Sequence, residues 1–398
     1  LTDEEFYNNT AFCPAPWTTF YIWGDGRVEN CCQSKNELGD LNHDSIYSIL
    51  KSNKVIQIKQ DMLAGKQVSG CKACYPQDHT IKSDDFNFKS TMRYDFLEFQ
   101  ENSTKEIYSD VNAFVYRYAD LRFRNTCNYA CVYCGPLCSS LWAEEIDKHD
   151  VLDKDKINDL IQYYLDNISK INYLYIAGGE PLLIKENQII LDKLSQVNLN
   201  CNISINTNLS LITNNKIYET LLKFKTCHWI VSFDDMEDRY NYIRYPGDWN
   251  NFYNNLIKLK KDVGVENISF SMTYTSLNAK SIFQAIEALT KEGFNKNCFN
   301  IYYVHSGQKN DYLNPKSLPQ SYINETINII QQNLIDKNLP SYNSKDERFN
   351  NQLNHLISFL ENDCYYESTL IEDLQSLDKR RNLDSKKVFP EIYNLFDQ

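Results

Sequence analysis

The sequence contains no run of the roughly 18 apolar residues that a membrane span needs. Its opening residues, Leu1-Thr2-Asp3-Glu4-Glu5, are acidic where a signal peptide is basic. An excess of positive charge is also missing, because 53 acidic against 41 basic side chains leave a net charge of −12. That balance argues against broad binding to a phosphate backbone, a term that clustered Lys and Arg supply. There is no internal repeat and no low-complexity tract. These absences predict a cytoplasmic protein with no membrane association and no general affinity for nucleic acid. What is present, 42% hydrophobic and 24% charged residues, is the composition of a folded chain. At 398 residues it exceeds what one core organises, so a main domain with a smaller companion is expected.

Thirteen cysteines are many for a reducing compartment, where disulfides are a poor explanation and metal ligation a better one. They fall into an early group, Cys13, Cys31, Cys32, Cys71 and Cys74, and a middle group, Cys127, Cys131, Cys134 and Cys138. Cys201, Cys227, Cys298 and Cys364 stand singly and read as small buried hydrophobes.

From Tyr118 onward, short apolar stretches alternate with amphipathic helical patterns such as Ile157, Leu160, Ile161, Tyr164, Leu165 and Ile168. Six strands are expected, at Ala119 to Arg124, Asn172 to Ala177, Asn202 to Asn206, Trp229 to Phe233, Ser269 to Thr275 and Phe299 to Val304. Such alternation predicts an α/β fold with a parallel sheet and crossover helices, here a partial (β/α)6 barrel over residues 118–318. Residues 1–85 read as a small metal-stapled module, 86–117 as a polar linker and 319–398 as a C-terminal helical extension. Loops at the carboxyl ends of parallel strands converge on one rim, and chemistry-bearing residues lie there: Cys127, Gly178-Gly179-Glu180-Pro181, Thr207-Asn208 and Ser232-Phe233-Asp234. Asp235, Thr273, Tyr274, Tyr303, His305 and Ser306 fall at further strand ends.

Cys127-Asn128-Tyr129-Ala130-Cys131-Val132-Tyr133-Cys134 is a C-x3-C-x2-C loop directly after a strand. Three thiolates in eight residues can wrap one face of a four-iron cluster and leave one iron open for an external amino-carboxylate. A zinc site closes with four ligands, which Cys138 is placed to complete. With Gly178-Gly179-Glu180 after the second strand, this loop resembles the radical S-adenosylmethionine (radical SAM) superfamily. Asn206-Thr207-Asn208, Val231-Ser232-Phe233-Asp234 and the tract Tyr242-Ile243-Arg244-Tyr245-Pro246-Gly247 are similar to further segments of that family, with Leu209 where a glycine is usual. The resemblance implies a [4Fe–4S] cluster on Cys127, Cys131 and Cys134, with S-adenosylmethionine met by Tyr133, Gly178, Gly179, Glu180, Thr207, Ser232 and Arg244. The basic residue the family often places after Gly-Gly-Glu-Pro is at best Lys185.

Cys13, twelve residues, Gly26, four residues, Cys31, then Cys71-Lys72-Ala73-Cys74 supplies four thiolates, enough to close a four-iron cluster or a zinc ribbon. Gly26 lets a hairpin bring Cys13 towards Cys31, and Leu38-Gly39-Asp40 reads as a turn. The pattern resembles the twitch module, the short form of the SPASM extension, displaced ahead of the barrel. The resemblance implies a second, auxiliary [4Fe–4S] cluster on Cys13, Cys31, Cys71 and Cys74. It leaves Cys32 either as an alternative ligand or as a hydrogen donor to a substrate radical. The family resemblance further implies an external one-electron reductant of flavodoxin or ferredoxin type. The substrate would be a peptide or protein side chain for oxidation, crosslinking or epimerisation, or a sugar or nucleoside-like small molecule. Asp234 is a candidate catalytic group at the rim. A non-catalytic metal-stapled scaffold or electron carrier is the reading from another class, and it leaves Gly178-Gly179-Glu180 without a purpose.

Overall fold

The computed structural model describes residue 9 and residues 11–75, 106–148, 152–304, 311–334, 344–362 and 369–396. Cys364, His305 and Ser306 lie outside these. Near the N-terminus, β1 (Tyr21–Ile22), β2 (Arg27–Glu29) and β3 (Glu37–Asp40) form an antiparallel sheet in that order. Gly26, at φ +98°, reverses the chain between β1 and β2, with its N–H donating to Trp23. Leu38-Gly39-Asp40 belongs to β3 and is no turn. Gly39 is needed there for packing, since a Cβ on it would lie 2.8 Å from Ile49 Cγ1 on the helix Ile46–Leu50.

Six further strands form one sheet, in the order of β4 (Tyr118–Leu121), β5 (Tyr173–Ile176), β6 (Asn202–Thr207), β7 (Thr226–Ser232), β8 (Ile268–Tyr274) and β9 (Phe299–Tyr303). Pairing is parallel from β4 to β6 and from β7 to β9. With a helix between consecutive strands, this is the topology of a partial (β/α)6 barrel. All six strands fall where the apolar runs predict them. β4 ends three residues early because the chain after Leu121 leaves the ladder to run against the loop that follows β5.

The described chain divides into two compact units, Leu1–Cys127 with Pro136–Ile205 and Asn214–Cys227, and Asn128–Gly135 with Asn206–Thr213 and His228–Gln398. In the first, Ala119, Leu121, Leu174, Ile176, Ile203 and Ile205 are at most 1% exposed. The helix Lys154–Asn167 buries Ile157, Leu160, Tyr163 and Tyr164, and Phe123 packs edge-on to Tyr164 with ring centroids 5.4 Å apart. Each such aliphatic side chain contributes roughly 1.5–3 kcal/mol by burial. In the second unit, Asp248 caps the helix Trp249–Val263, whose Phe252 stacks on Phe233 at 5.7 Å. The C-terminal extension is helical as expected, at Gln320–Asn333, Ser344–Glu361, Leu370–Arg381, Ser385–Val388 and Pro390–Phe396. No helix among the described residues is long and apolar enough to cross a membrane.

Candidate active site and auxiliary cysteine cavity

In the first unit, the residues after β4 lead to Cys127 and are gripped by the loop after β5. Gly179 N–H donates to Arg124 O, and Glu180 N–H donates to Thr126 O at 2.7 Å. A Cβ at Gly179 would lie 2.1 Å from Thr126 O, and Gly178 has φ +108° with Arg124 O 2.9 Å from its would-be Cβ. The close approach that these glycines permit is therefore to the chain's own backbone, just before the first cysteine. Glu180 is 1% exposed and accepts a hydrogen bond from Leu182 N–H. Cys127 N–H donates to Ser140 Oγ. Lys185 is exposed, while Arg124 pairs with Glu186 at 2.7 Å.

In the second unit, the rest of the cysteine loop is held by the segment after the helix Glu237–Ile243. Ala130 N–H donates to Tyr245 O and Val132 N–H to Ile243 O. Cys131 is buried, with Arg244 Nη1 donating to its Sγ at 3.9 Å. Burial pushes the Cys131 thiol up, and the guanidinium pulls it back down. Asp234, wholly buried, takes an ion pair from Arg244 at 2.8 Å, the Tyr133 hydroxyl at 2.7 Å and Thr273 N–H at 2.6 Å. Its oxygens are thus engaged in fixing Tyr133 and Arg244. Asp235 accepts from Ser281 Oγ and Met236 N–H, and burial pushes its carboxyl up to about 6. Asn128 donates to Ser210 Oγ and accepts from Asn208 Nδ2, both at 3.0 Å, tying the cysteine loop to the segment after β6. Thr207 Oγ1 accepts from Leu209 N–H, and Ser232 Oγ donates to Asn206 Oδ1 at 3.4 Å.

Leu209 stands where glycine is usual, fully buried at φ +60°. Removing its side chain as Leu209→Ala is expected to cost ~2–5 kcal/mol. Leu209→Gly should be more stable than Leu209→Ala by about 1 kcal/mol, because only glycine enters the left-handed region without penalty. Denaturant unfolding of the pair checks the order, and an alanine variant as stable as glycine contradicts it.

Cys13, Cys31, Cys71 and Cys74 line one cavity, together with Pro16, Asn30, Met62 and Tyr75. The short helix Ser69–Cys74 carries the last two thiols, and Asn36 Nδ2 donates to Cys71 Sγ at 3.3 Å. Burial pushes the Cys71 thiol up to about 11 and that of Cys31 well above its ordinary value. The four-thiol lining fits a cluster. Among the described residues no three His, Cys, Asp or Glu side chains are grouped so as to hold a single metal ion. Cys32 is not part of that lining. It is pushed up to about 11, by burial and then by Asp120, with Arg122 opposing. Cys138 is exposed and acts electrostatically on Tyr21. Cys201 is buried, and Cys227 and Cys298 are partly so.

The radical SAM superfamily model matches residues 121–314, from the end of β4 to beyond β9. The chain carries a radical SAM domain. The SPASM model, an iron–sulfur cluster-binding domain, matches residues 13–75 and so spans all four cavity cysteines. This radical SAM protein therefore has its SPASM domain ahead of the barrel, and the two domains together imply a [4Fe–4S] cluster with S-adenosylmethionine and auxiliary iron–sulfur ligation. A solved structure of anSMEcpe with bound AdoMet and the Cp18Cys peptide is 15% identical, at a TM-score of 0.38, over 54% of this chain and 59% of that one. SuiB of Streptococcus suis bound to S-adenosylmethionine is 14% identical over 59% and 61%, at a TM-score of 0.31. TYW1 with a lysine-pyruvate adduct bound is 15% identical over 63% and 84%, at a TM-score of 0.31. The match thus covers less than two thirds of the anSMEcpe and SuiB chains. No curated protein sequence matches the chain.

Sequence reasoning missed Asp120, Arg122, Tyr21 and Tyr175. Asp120 and Arg122 alternate with Ala119, Leu121 and Phe123, which are at most 2% exposed. That alternation signals a face turned away from the helices, but not what occupies it.

Proposed function

We propose that this chain is an enzyme that cleaves S-adenosylmethionine reductively and takes a hydrogen atom from a peptide or protein side chain, for oxidation, crosslinking or epimerisation. A [4Fe–4S] cluster with S-adenosylmethionine supplies, once reduced by a flavodoxin- or ferredoxin-type donor, the electron that splits the sulfonium C–S bond and yields the 5′-deoxyadenosyl radical. Cys127, Cys131 and Cys134 would hold that cluster through three thiolates. Gly178 and Gly179 set Glu180, whose carboxylate would accept a charge-assisted hydrogen bond from the methionine ammonium. Thr207, Ser232 and Tyr133 are the further cofactor contacts, and Asp234 acts by positioning Tyr133 and Arg244. Cys13, Cys31, Cys71 and Cys74 would hold the auxiliary cluster. Cys32, outside that lining, is the candidate hydrogen donor where the outcome is epimerisation.

The observation that carries this reading is one chain holding both a three-cysteine loop whose stem is clamped by Gly178–Gly179–Glu180 and a cavity lined by four thiols. The likeness of residues 13–75 to the twitch and SPASM modules supports peptides as the substrate class, the commonest expectation for that resemblance. Anaerobically reconstituted protein given dithionite and S-adenosylmethionine should form 5′-deoxyadenosine slowly without any substrate. It should also carry about eight irons per chain, as two four-iron clusters require. Absence of 5′-deoxyadenosine from protein carrying its full iron refutes the enzymatic reading.

A further inference from the structure

On the inner face of the first unit's strands, Tyr118, Asp120 and Arg122 point away from the helix side. Tyr118 stacks on Tyr173 at 4.8 Å, and Tyr173 in turn shares a hydrogen bond with Ser204. Arg122 is the centre of this face. Its Nε donates to Asp120 Oδ1 at 2.8 Å, and its guanidinium lies over the rings of Tyr21 at 4.8 Å and Tyr175 at 5.4 Å. Two flat rings and a carboxylate fix the plane of the fork and leave its Nη edge without a hydrogen bond among the described residues. The side chain keeps 22% of its surface exposed while Asp120 keeps only 5%. The backbone of Arg122 also passes the loop after β5, its Cα 3.6 Å from where a Cβ on Gly178 would be. The stem of Arg122 thus starts beside the loop that carries Glu180, and its guanidinium ends between Tyr21 and Tyr175.

We infer that Arg122 is a specificity-determining residue that recognises a carboxylate on the substrate, so that the peptide modified by this enzyme presents an Asp, a Glu or a chain terminus next to the reacting residue. This rests on the function proposed above and names its substrate class. The planar Nη edge matches a carboxylate in bidentate geometry, which a lysine in its place cannot offer. Tyr21 and Tyr175 hold that edge in orientation and contribute cation–π attraction. Asp120 already balances the guanidinium, so a substrate carboxylate would be held by the directed hydrogen bonds of the Nη edge and not by net charge, and a phosphate dianion would add twice the uncompensated negative charge. The N-terminal domain takes part through Tyr21, so the SPASM domain shapes the substrate face as well as its own cavity.

The test is selection of a random dodecapeptide display library on immobilised, reconstituted protein with S-adenosylmethionine bound. The wild type should enrich an acidic residue at a fixed place in the recovered sequences. A synthetic peptide with that acid changed to its amide should bind about tenfold more weakly or worse, as loss of a charge-assisted hydrogen bond predicts. A phosphoserine at the same place should also bind more weakly than the acid. Arg122→Gln should remove the preference for acid over amide, while iron content and circular dichroism report its fold. Where Arg122→Gln does not fold, Arg122→Lys decides, and it should retain only part of the discrimination. No acidic enrichment with the wild type, or discrimination surviving undiminished in either variant, overturns the inference. Failure of the wild type to form 5′-deoxyadenosine is read separately and bears on the enzymatic proposal alone.

Discussion

Alanine at Cys127, Cys131 and Cys134 together is expected to lower 5′-deoxyadenosine formation at least ~1000-fold, to the limit of detection, and to halve the iron from about eight to about four per chain. Removing three thiolates leaves no donor set in that loop, because the exposed Cys138 alone supplies a single thiol. The four cavity cysteines are untouched by the change, and their iron should persist with its own absorption near the visible edge. Double replacement of Cys71 and Cys74 is the converse, losing the other half of the iron. Full iron in the triple variant, or turnover in it, contradicts the ligand assignment.

Gly179→Ala should come close to the triple variant in effect without touching a ligand. Its methyl would fall 2.1 Å from Thr126 O and 2.5 Å from Thr126 C, and both are backbone atoms that no rotamer change can move aside. The stem before Cys127 must shift, so about half the iron and at least ~100-fold of 5′-deoxyadenosine formation should be lost, on the scale of ångström-level misplacement in an active site. Gly65→Ala supplies the control. That residue, unlike Gly179, is at positive φ, +72°, but nothing lies within 4 Å of its would-be Cβ, so only about 1 kcal/mol of backbone strain is expected and no loss of iron. Iron analysis and product assay on the three proteins check the contrast, and a Gly179→Ala variant indistinguishable from Gly65→Ala refutes the clamp.

The six strands were legible because each is a short apolar run whose periodicity is local. The four cavity cysteines were legible too, since their spacing survives folding and needs only a hairpin to close. Gly39 was not, because glycine in a turn and glycine beneath a packed Ile49 look alike until the helix above it is placed. The backbone contact made by Gly178 and Gly179 was hidden for the same reason. Sequence shows that something comes close, and only the fold shows that it is the backbone at Arg124 to Thr126. Arg122 stayed hidden because its clamp is assembled from Tyr21 and Tyr175, on either side of it in the chain and far away. Asp234 was legible as a strand-end acid, but its three donors come from Tyr133, Arg244 and Thr273.

That last convergence orders events during biosynthesis. Tyr133 precedes Asp234 by 101 positions, and Thr273 follows later still. At about 5–20 residues per second, a nascent chain exposes the cysteines for roughly 5–20 seconds before the carboxylate that anchors their neighbour has even left the ribosome. Metal delivered in that interval meets a floppy trio of thiols, so productive loading belongs after translation, to a scaffold already closed around its buried acid.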